Sequence, residues 1–277
     1  MKKLFLLIAL LGISLSAFAL ETNKVYLALE TGTYSYREPH AVMHLSAKKV
    51  GASFEWVGRS FLSTSGLKYS DDNSIATFEL RYINGKTDYD GFTWGGTPIQ
   101  DNGETDYYVE GRITIGQTYN LSNTLEFWPY MGFGYRRLVN DGTNVSASAY
   151  RRVSNYWYVP IGIKLSKDFN KQFSVTFTGE FDWLAVGKQQ TDIITTGYLD
   201  NCQPEGLGLR FGLKAEVPVN KQVGLFIEPY YRMWKIQNSV VEPVWMWNPL
   251  TSSYELTGVL EPFNVTKEAG IRLGVYF

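Results

Sequence analysis

The sequence predicts an all-β protein: a single antiparallel up-and-down transmembrane β-barrel of about ten strands, with short periplasmic turns and long extracellular loops. Three observations lead to this fold class. Apolar and polar residues alternate in ten separate stretches, the connections between them alternate between short and long, and aromatic residues and glycine are abundant, with 8 Trp, 19 Tyr, 16 Phe and 26 Gly in 277 residues. This composition is typical of a strand-rich protein rather than of a helical enzyme.

The chain begins with a predicted signal peptide over residues 1–19. Lys2 and Lys3 form a positive start, residues 4–13 form an apolar stretch, and residues 17–19 form an A-x-A cleavage site. The apolar stretch is too short to be a transmembrane helix, which needs roughly 20 residues. We therefore expect export and cleavage after residue 19, and no later segment is apolar enough to span a bilayer as a helix. The sequence thus allows membrane insertion only as a closed barrel.

Ten strands are predicted in the remaining segment, residues 20–277. In the clearest of them, Phe173 and Phe177 alternate with Ser174 and Thr176. The predicted strands cover residues 25–36, 50–61, 74–84, 107–119, 125–138, 155–166, 172–184, 207–217, 222–236 and 264–277. Their length of about 11–15 residues exceeds the roughly 5–6 residues of soluble strands and suits the ~9–11 tilted residues that cross a bilayer. Strand length therefore favours a membrane barrel over a soluble barrel or sandwich.

The connections between the predicted strands fall into two length classes. Short turns are predicted at residues 120–123, 169–172 and 219–222, and longer polar segments at residues 37–49, 85–106, 139–154, 185–206 and 237–263. The turn near residues 62–73 is longer than the other turns. Short turns at one end and long loops at the other are typical of outer-membrane barrels, whose short turns face the periplasm.

The C-terminal stretch carries a family resemblance. Ile271, Leu273 and Val275 alternate with other residues before the terminal pair, Tyr276 and Phe277. This pattern resembles the last strand of bacterial outer-membrane proteins, and the mature segment is similar to small porin-like barrels of the opacity-protein and outer-membrane-protein-A type. The resemblance implies the outer membrane of a Gram-negative bacterium and recognition of the terminal pair by the barrel-assembly machinery. It also implies contact with outer-membrane lipids and lipopolysaccharide, and it leaves the partner of the external loops open.

The same alternation predicts which charged residues face the lumen. The candidate network comprises Glu30, Glu55, Arg59, Glu79, Arg81, Glu110, Arg112, Glu126, Arg136, Lys164, Glu180, Asp182, Arg210, Lys214, Glu216, Glu228, Arg232, Glu268 and Arg272. Acids and bases are nearly equal in number, so we expect a ladder of salt bridges that obstructs large solutes in a narrow, ten-stranded barrel. The alternative is that these charges line a thin water path, which would make the protein a narrow channel for small solutes or ions.

Catalytic motifs are few. Both histidines, His40 and His44, lie in the first long loop, and the chain has no G-x-S-x-G, H-E-x-x-H, P-loop or dinucleotide motif. Asp88 and Asp90 resemble the paired acids of the omptin proteases, which are also ten-stranded barrels, but that family requires a histidine from a later loop. We expect no enzyme activity, catalytic residue, metal or cofactor, and an omptin-like surface protease is the less favoured alternative. The net charge of −1 excludes a broadly basic nucleic-acid-binding surface.

One apolar cluster, Trp245, Met246 and Trp247, lies in the last long polar segment. A contiguous apolar patch in a segment that faces solvent indicates either packing into the barrel mouth or contact with an external partner. Mouth packing is the preferred interpretation, and these three residues are the candidate loop interaction site. The function expected from the sequence is a non-enzymatic, porin-like outer-membrane barrel with a charge-paired lumen and surface loops for structural or interaction roles.

Overall fold

The computed structural model describes residues 23–39, 43–60, 73–92, 96–146, 149–193, 197–248 and 251–277. The predicted signal peptide and His40 lie outside the described residues, as does nearly all of the predicted turn at residues 62–73. None of the described residues belongs to a helix long and apolar enough to cross a membrane.

The described residues are organised as antiparallel strands. In chain order these are β1 (Asn23–Glu38), β2 (Met43–Arg59), β3 (Ser74–Phe92), β4 (Pro98–Gln117), β5 (Tyr119–Ser122), β6 (Leu125–Asp141), β7 (Arg151–Asn170), β8 (Phe173–Ile193), β9 (Gly197–Gln203), β10 (Gly206–Pro218), β11 (Gly224–Ile236), β12 (Glu242–Asn248), β13 (Ser253–Val259) and β14 (Asn264–Tyr276). Ten of them form one closed wall in the order β1, β2, β3, β4, β6, β7, β8, β10, β11, β14. The last pairs with the first, with Arg272 opposite Glu30. The predicted ten-stranded up-and-down barrel is confirmed.

The four shorter strands are accessory to this wall. β5 pairs with β6, β9 pairs with the far end of β8, and β12 and β13 form a separate two-stranded hairpin. We call the end of the barrel with the short turns and Asn23 the turn end, and the end that carries the β12–β13 hairpin the loop end. In outer-membrane barrels the short turns face the periplasm.

The strands are longer at the loop end than the sequence indicated. Residues 37–49 and 85–106 were expected to be long loops, yet β2 already begins at Met43, and β3 and β4 leave only a short connection after Phe92. The reason is that cross-strand hydrogen bonding continues above the lipid, where the outer face no longer needs apolar side chains and the alternation fades. Much of the predicted loop sequence is therefore barrel wall standing above the membrane.

The outer wall is an apolar surface. Large apolar side chains that point away from the lumen are solvent-exposed in the isolated chain and include Leu29, Val50, Phe78, Leu80, Ile113, Ile115, Met131, Phe133, Ile161, Ile163, Trp183, Phe211, Leu213, Ile227, Ile271 and Leu273. A continuous apolar surface of this kind does not persist in water. It matches the lipid-facing band of an outer-membrane barrel, and the predicted network of charged side chains on the same strands points inward.

Candidate functional site

The lumen contains the candidate charge network, and its centre is a cluster of ions around Arg210. The Arg210 guanidinium on β10 lies 2.5 Å from Glu110 on β4, 2.6 Å from Asp182 on β8 and 3.1 Å from Glu180. The hydroxyl of Tyr158 donates to Glu110 at 2.8 Å. Since β4 and β10 are not neighbours in the wall, the Arg210–Glu110 pair bridges the lumen.

A second group of ion pairs lies against this centre. Arg81 is 2.8 Å from Glu30 and 3.0 Å from Glu79, and it is 1% exposed. Arg112 is 2.6 Å from Glu79 and 2.5 Å from Glu180, which links the second group to the first. We call the two groups together the central plug: Glu30, Glu79, Arg81, Glu110, Arg112, Glu180, Asp182 and Arg210.

Towards the turn end, one carboxylate forms ion pairs with three basic side chains. Glu55 lies 2.7 Å from Lys214, 3.2 Å from Lys164 and 3.4 Å from Arg272. Arg272 also lies 3.5 Å from Glu228. Because each of these side chains is largely buried inside the wall, the pairing offsets the cost of removing the charges from water.

The last pairs at the turn end are partly exposed. Arg59 and Glu126 form two parallel hydrogen bonds of 3.0 and 2.9 Å. Glu216 is 3.4 Å from Lys24 and accepts a 2.8 Å hydrogen bond from the hydroxyl of Tyr26. These contacts form the rim of the barrel, where water screens the charges and each pair contributes little to stability.

Above the central plug, Glu268 is the focus of a third buried group. Its carboxylate is 2.7 Å from Arg136 and 3.8 Å from Arg232, and the hydroxyl of Tyr108 donates to it at 2.7 Å. The Arg136 guanidinium lies 4.1 Å from the centre of the Tyr108 ring. Every member of the candidate charge network thus lies in the lumen or at its rim and has an ion-pair partner there.

Charged residues at the loop end of the lumen escaped the sequence analysis, because each falls in a segment that was interpreted as a loop. Lys49 pairs with Asp106, Glu38 pairs with Arg152 at 3.0 Å, and Glu261 lies beside Glu38. Their position in the alternation could have revealed most of them. Lys49 is six residues from Glu55 and Asp106 is four from Glu110, and even spacings along a strand place side chains on the same face.

Tyrosine hydroxyls were the other missed component of the lumen. Tyr158 and Tyr130 donate to Glu110 and Glu180. Glycines on the inner face make room for the rings: a Cβ added to Gly134 would collide with the Tyr158 ring. Alternation along a strand identifies which tyrosines point inward. Tyrosine is an aromatic residue, however, and an aromatic residue in a barrel strand is readily assigned to the lipid-facing side.

Two cavities lie on either side of the plug. The turn-end cavity has a volume of about 110 Å³ and is lined by residues that include Glu55, Lys164 and Lys214. The loop-end cavity has a volume of about 270 Å³ and is lined by residues that include Glu38 and Arg152. Between them, the space beside the plug has about 30 Å³, close to the volume of a single water molecule. Of these three spaces, the one beside the plug is the smallest.

The loop-end cavity has a charged floor. Arg152 is 3.0 Å from Glu38, and the hydroxyl of Tyr36 lies 2.8 Å from Glu38 and 3.1 Å from Glu261. The Glu261 backbone N–H donates to the hydroxyl of Ser239 at 2.8 Å. Burial, together with the neighbouring Glu38 carboxylate, raises the pKa of Glu261 to about 7.

Three of the residues considered for catalysis, Asp88, Asp90 and His44, are described, and they lie on the outside of the wall. Asp88 and Asp90 are exposed on β3, and His44 on β2 lies directly opposite Asp90. The Nε2 atom of His44 is 3.4 Å from the hydroxyl of Ser35. Partial burial and the charge of Arg37 lower the pKa of His44. None of these side chains lines one of the cavities described above.

The described part of the chain holds no group of three or more His, Cys, Asp or Glu side chains arranged for a metal ion. The expected absence of a metal or cofactor stays a prediction.

The two tryptophans of the apolar loop cluster do not pack into the barrel mouth. Trp245 and Trp247 lie on β12 and are 60% and 48% exposed, facing Leu256 and Tyr254 across the hairpin. The mouth-packing interpretation is wrong for these two side chains, because β12 pairs with β13 and not with a barrel strand. The backbone of Met246 takes part in the same hairpin, opposite Glu255. A role for the cluster in binding a partner stays a prediction.

The C-terminal pair completes the closing seam. The backbone N–H of Phe277 donates to the carbonyl of Val25 at 3.0 Å, and the reverse bond measures 3.1 Å. Tyr276 lies opposite Tyr26, with ring centres 5.7 Å apart. The two terminal residues therefore hold the first and last strands together, and recognition by the assembly machinery stays a prediction.

No protein-family model matches the chain, and no curated protein matches it. Among solved structures, the chain is similar to the outer membrane protease OmpT from Escherichia coli, with a TM-score of 0.58 and 9% identity over 92% of this chain and 96% of that one. The fold is that of an outer-membrane β-barrel. At this level of identity the similarity concerns the fold alone.

Other outer-membrane barrels match more distantly. A major outer membrane protein from Thermus thermophilus matches with a TM-score of 0.40 and 11% identity, over 92% of this chain and 98% of that one. The translocator domain of the autotransporter NalP from Neisseria meningitidis matches with a TM-score of 0.44 and 9% identity, over 98% of this chain and 95% of that one.

Proposed function

We propose that this integral outer-membrane barrel is a non-enzymatic, porin-like protein whose lumen is closed to solutes by the central plug, and whose loop end serves structural or interaction roles at the cell surface. In this proposal the chain is exported by its signal peptide to the outer membrane of a Gram-negative bacterium. It belongs among the small barrels of the opacity-protein and outer-membrane-protein-A type. The observation that carries the proposal is the bridging of the lumen by Arg210 and Glu110 at 2.5 Å.

The energetics of the plug favour closure. A selective pore presents rings of one sign to the passing ion. Here Arg210 touches three carboxylates and Arg81 touches Glu30 and Glu79, so each charge is already neutralised by the protein. Removing one partner would leave a buried charge without compensation, which costs about 3–5 kcal/mol. A solute that displaced these pairs would have to replace all of their contacts.

A liposome-swelling assay tests closure to solutes. Vesicles that contain the folded barrel are diluted into isotonic arabinose, and entry of the sugar is followed by light scattering. We expect no swelling above that of protein-free vesicles. Swelling that depends on the barrel would contradict a closed lumen.

The second candidate function is a narrow channel. Supporting it are the two cavities, which lie at opposite ends of the plug, and the intervening space of about 30 Å³. A space of that size holds about one water molecule, so the channel would pass water or protons rather than sugars. Proton entry into vesicles loaded with a pH-sensitive dye distinguishes this function from a closed lumen.

We propose that the chain has no hydrolytic activity. The omptin-like alternative requires acids that face a substrate cleft, whereas Asp88 and Asp90 are exposed on the outer wall. On this wall the hydroxyl of Ser35 contacts His44, and Asp90 lies opposite that histidine, so a hydroxyl, an imidazole and a carboxyl group lie on neighbouring strands. Two assays test both arrangements. We expect neither peptide cleavage nor covalent labelling of Ser35 by a fluorophosphonate, and either reaction would contradict the proposal.

The proposed lipid contacts lie just above the apolar band. Lys48 and Lys86 are exposed and directly opposite each other on β2 and β3, two residues above Val50 on the same face. Like charges in this arrangement repel each other unless an anion lies between them. A lipopolysaccharide phosphate fits this position. We propose no cofactor and no nucleic-acid partner, and we propose that Tyr276 and Phe277 present the assembly signal.

A further inference from the structure

The loop-end cavity is the largest of the cavities described above and opens on the far side of the plug from the periplasm. Its volume of about 270 Å³ corresponds to roughly nine water molecules. Its walls combine aromatic and aliphatic side chains, among them Met43, Tyr89, Tyr150, Leu199 and Val259. Ligand sites in proteins share this composition of apolar walls with a few convergent polar groups.

The two carboxylates of this cavity, Glu38 and Glu261, differ in whether they have an ion-pair partner. The Glu38 carboxylate is paired with Arg152 at 3.0 Å. Glu261 is 7% exposed and, among the described residues, has no lysine or arginine within ion-pair distance. Its carboxylate is near the Tyr36 hydroxyl and the Gln189 side chain, neither of which carries a compensating positive charge. Arg152 pairs with Glu38 and is also the positive charge that acts on Glu261, so the cavity floor holds two carboxylates and one guanidinium.

We propose that the loop-end cavity binds a small organic cation with an aromatic or aliphatic body, whose ammonium group pairs with Glu261. The rings of Tyr89 and Tyr150 would cover the apolar body and present their faces to the cation. An anion of the same size would meet two carboxylates and one guanidinium, so the cavity excludes it by charge. This inference goes beyond the proposed function, because it holds whether or not the plug conducts.

The inference carries a pH dependence. The titratable and charged groups that face Glu261 are Glu38 and Tyr36 from β1, Arg152 and Tyr156 from β7 with Tyr150 just before that strand, and Tyr89 from β3. Glu38 and Arg152 compensate each other, and burial raises the pKa of Tyr150 to about 12, so Glu261 is the group that changes charge near neutrality. A cation binds the ionised form. We therefore expect affinity to rise about tenfold between pH 6 and pH 8.

Isothermal titration calorimetry on the folded barrel in detergent tests this inference, with phenethylamine as the probe. The matched compounds are 2-phenylethanol, which is neutral, and 3-phenylpropionate, which is an anion. We expect saturable binding of phenethylamine, at least tenfold tighter than binding of the alcohol, and none of the anion. Equal binding of the amine and the alcohol, or no binding of the amine at millimolar concentration, would overturn the proposal.

Two variants locate the site. Glu261→Gln keeps the shape of the side chain and removes its charge, so we expect loss of amine binding and of its pH dependence. Glu104→Gln is the matched control, because Glu104 is a buried loop-end glutamate that does not line the cavity. Leu199→Trp fills the cavity and covers the case in which the Glu261 variant fails to fold. Unchanged amine binding in a folded Glu261→Gln or Leu199→Trp barrel would contradict the assignment.

Discussion

Arg210 and Glu110 are one hundred residues apart in the chain and form a 2.5 Å ion pair across the lumen. The two strands that carry them are separated in the wall by three other strands, so the pair ties distant parts of the barrel wall together. Each partner is also held by a further group: Arg210 by Asp182 at 2.6 Å and Glu110 by the Tyr158 hydroxyl at 2.8 Å. This bridge is the observation behind the proposed closure of the lumen by the protein's own side chains.

The first prediction concerns the stability of this bridge. Arg210→Ala leaves Glu110 and Asp182 buried without their main cation, and we expect a loss of about 3–5 kcal/mol in the free energy of unfolding. Arg59→Ala is the matched control, since its pair with Glu126 is partly exposed and should contribute about 0–1 kcal/mol. Urea unfolding of both variants in detergent measures the difference. Equal losses of unfolding free energy in the two variants would show that the central ion pairs contribute no more to stability than the exposed pair does.

The second prediction concerns the glycine beneath Tyr158. In Gly134→Ala the new Cβ would strike the ring of Tyr158, which must then move away from Glu110. We expect a loss of about 1–3 kcal/mol. Gly111→Ala is the control, because its nearest neighbour is a Leu80 methyl at 3.9 Å, an ordinary contact. Comparing the unfolding midpoints of the two alanine variants checks this. A destabilised Gly111→Ala and an unaffected Gly134→Ala would contradict it.

The third prediction is a pH dependence from Glu261. Its pKa is raised from 4.5 to about 7, so between those pH values the folded state binds more protons than the unfolded state. Stability from this group is therefore greatest below pH 4.5 and falls as pH rises to about 7, by an amount on the order of 3 kcal/mol. Glu261→Gln should remove this component, whereas Glu104→Gln should keep it and lose only the contribution of Glu104 itself, whose pKa is also raised by burial. Thermal unfolding of the three proteins at pH 5 and pH 8 measures it, and an identical pH dependence in wild type and Glu261→Gln would contradict it.

The fourth prediction is that the two hairpin tryptophans do not contribute to the stability of the barrel. Because Trp245 and Trp247 are exposed on the β12–β13 hairpin, changing both to alanine should alter the free energy of barrel unfolding by no more than about 0.5 kcal/mol. If the cluster binds an external partner, the same variant should lose that binding while it stays folded. The unfolding midpoint is the first measurement, and a large drop would show that these tryptophans support the barrel.

The barrel itself was predictable from the sequence because lipid imposes a strict requirement on one face of each strand. Phe211 and Leu213 must point to lipid. Because side chains along a strand alternate between its two faces, Arg210 and Lys214 must then point inward. The same rule placed the predicted charge network in the lumen. What sequence could not supply was the partner of each charge, since Arg210 and Glu110 meet only through the closure of the barrel.

The loop end was less predictable for a physical reason. Above the lipid the outer face accepts Lys48, Ser46 and His44, so alternation disappears while the strand continues. Lys49, Arg152 and the cavity that contains Glu261 were missed for this reason. The Trp245 cluster was misread for another reason: an apolar segment can pair with its own neighbour, and composition does not distinguish that hairpin from a lining of the mouth.

Planar-bilayer current through the inserted, folded barrel at several salt concentrations tests the closed lumen most directly. Wild-type protein should give no ohmic steps, whereas Arg210→Ala, which removes the cation of the central bridge, should give steps that favour cations and scale with salt. Insertion of both proteins is verified by protease protection. Steady, salt-dependent steps from the wild-type barrel would contradict the closed lumen and make transport the leading function.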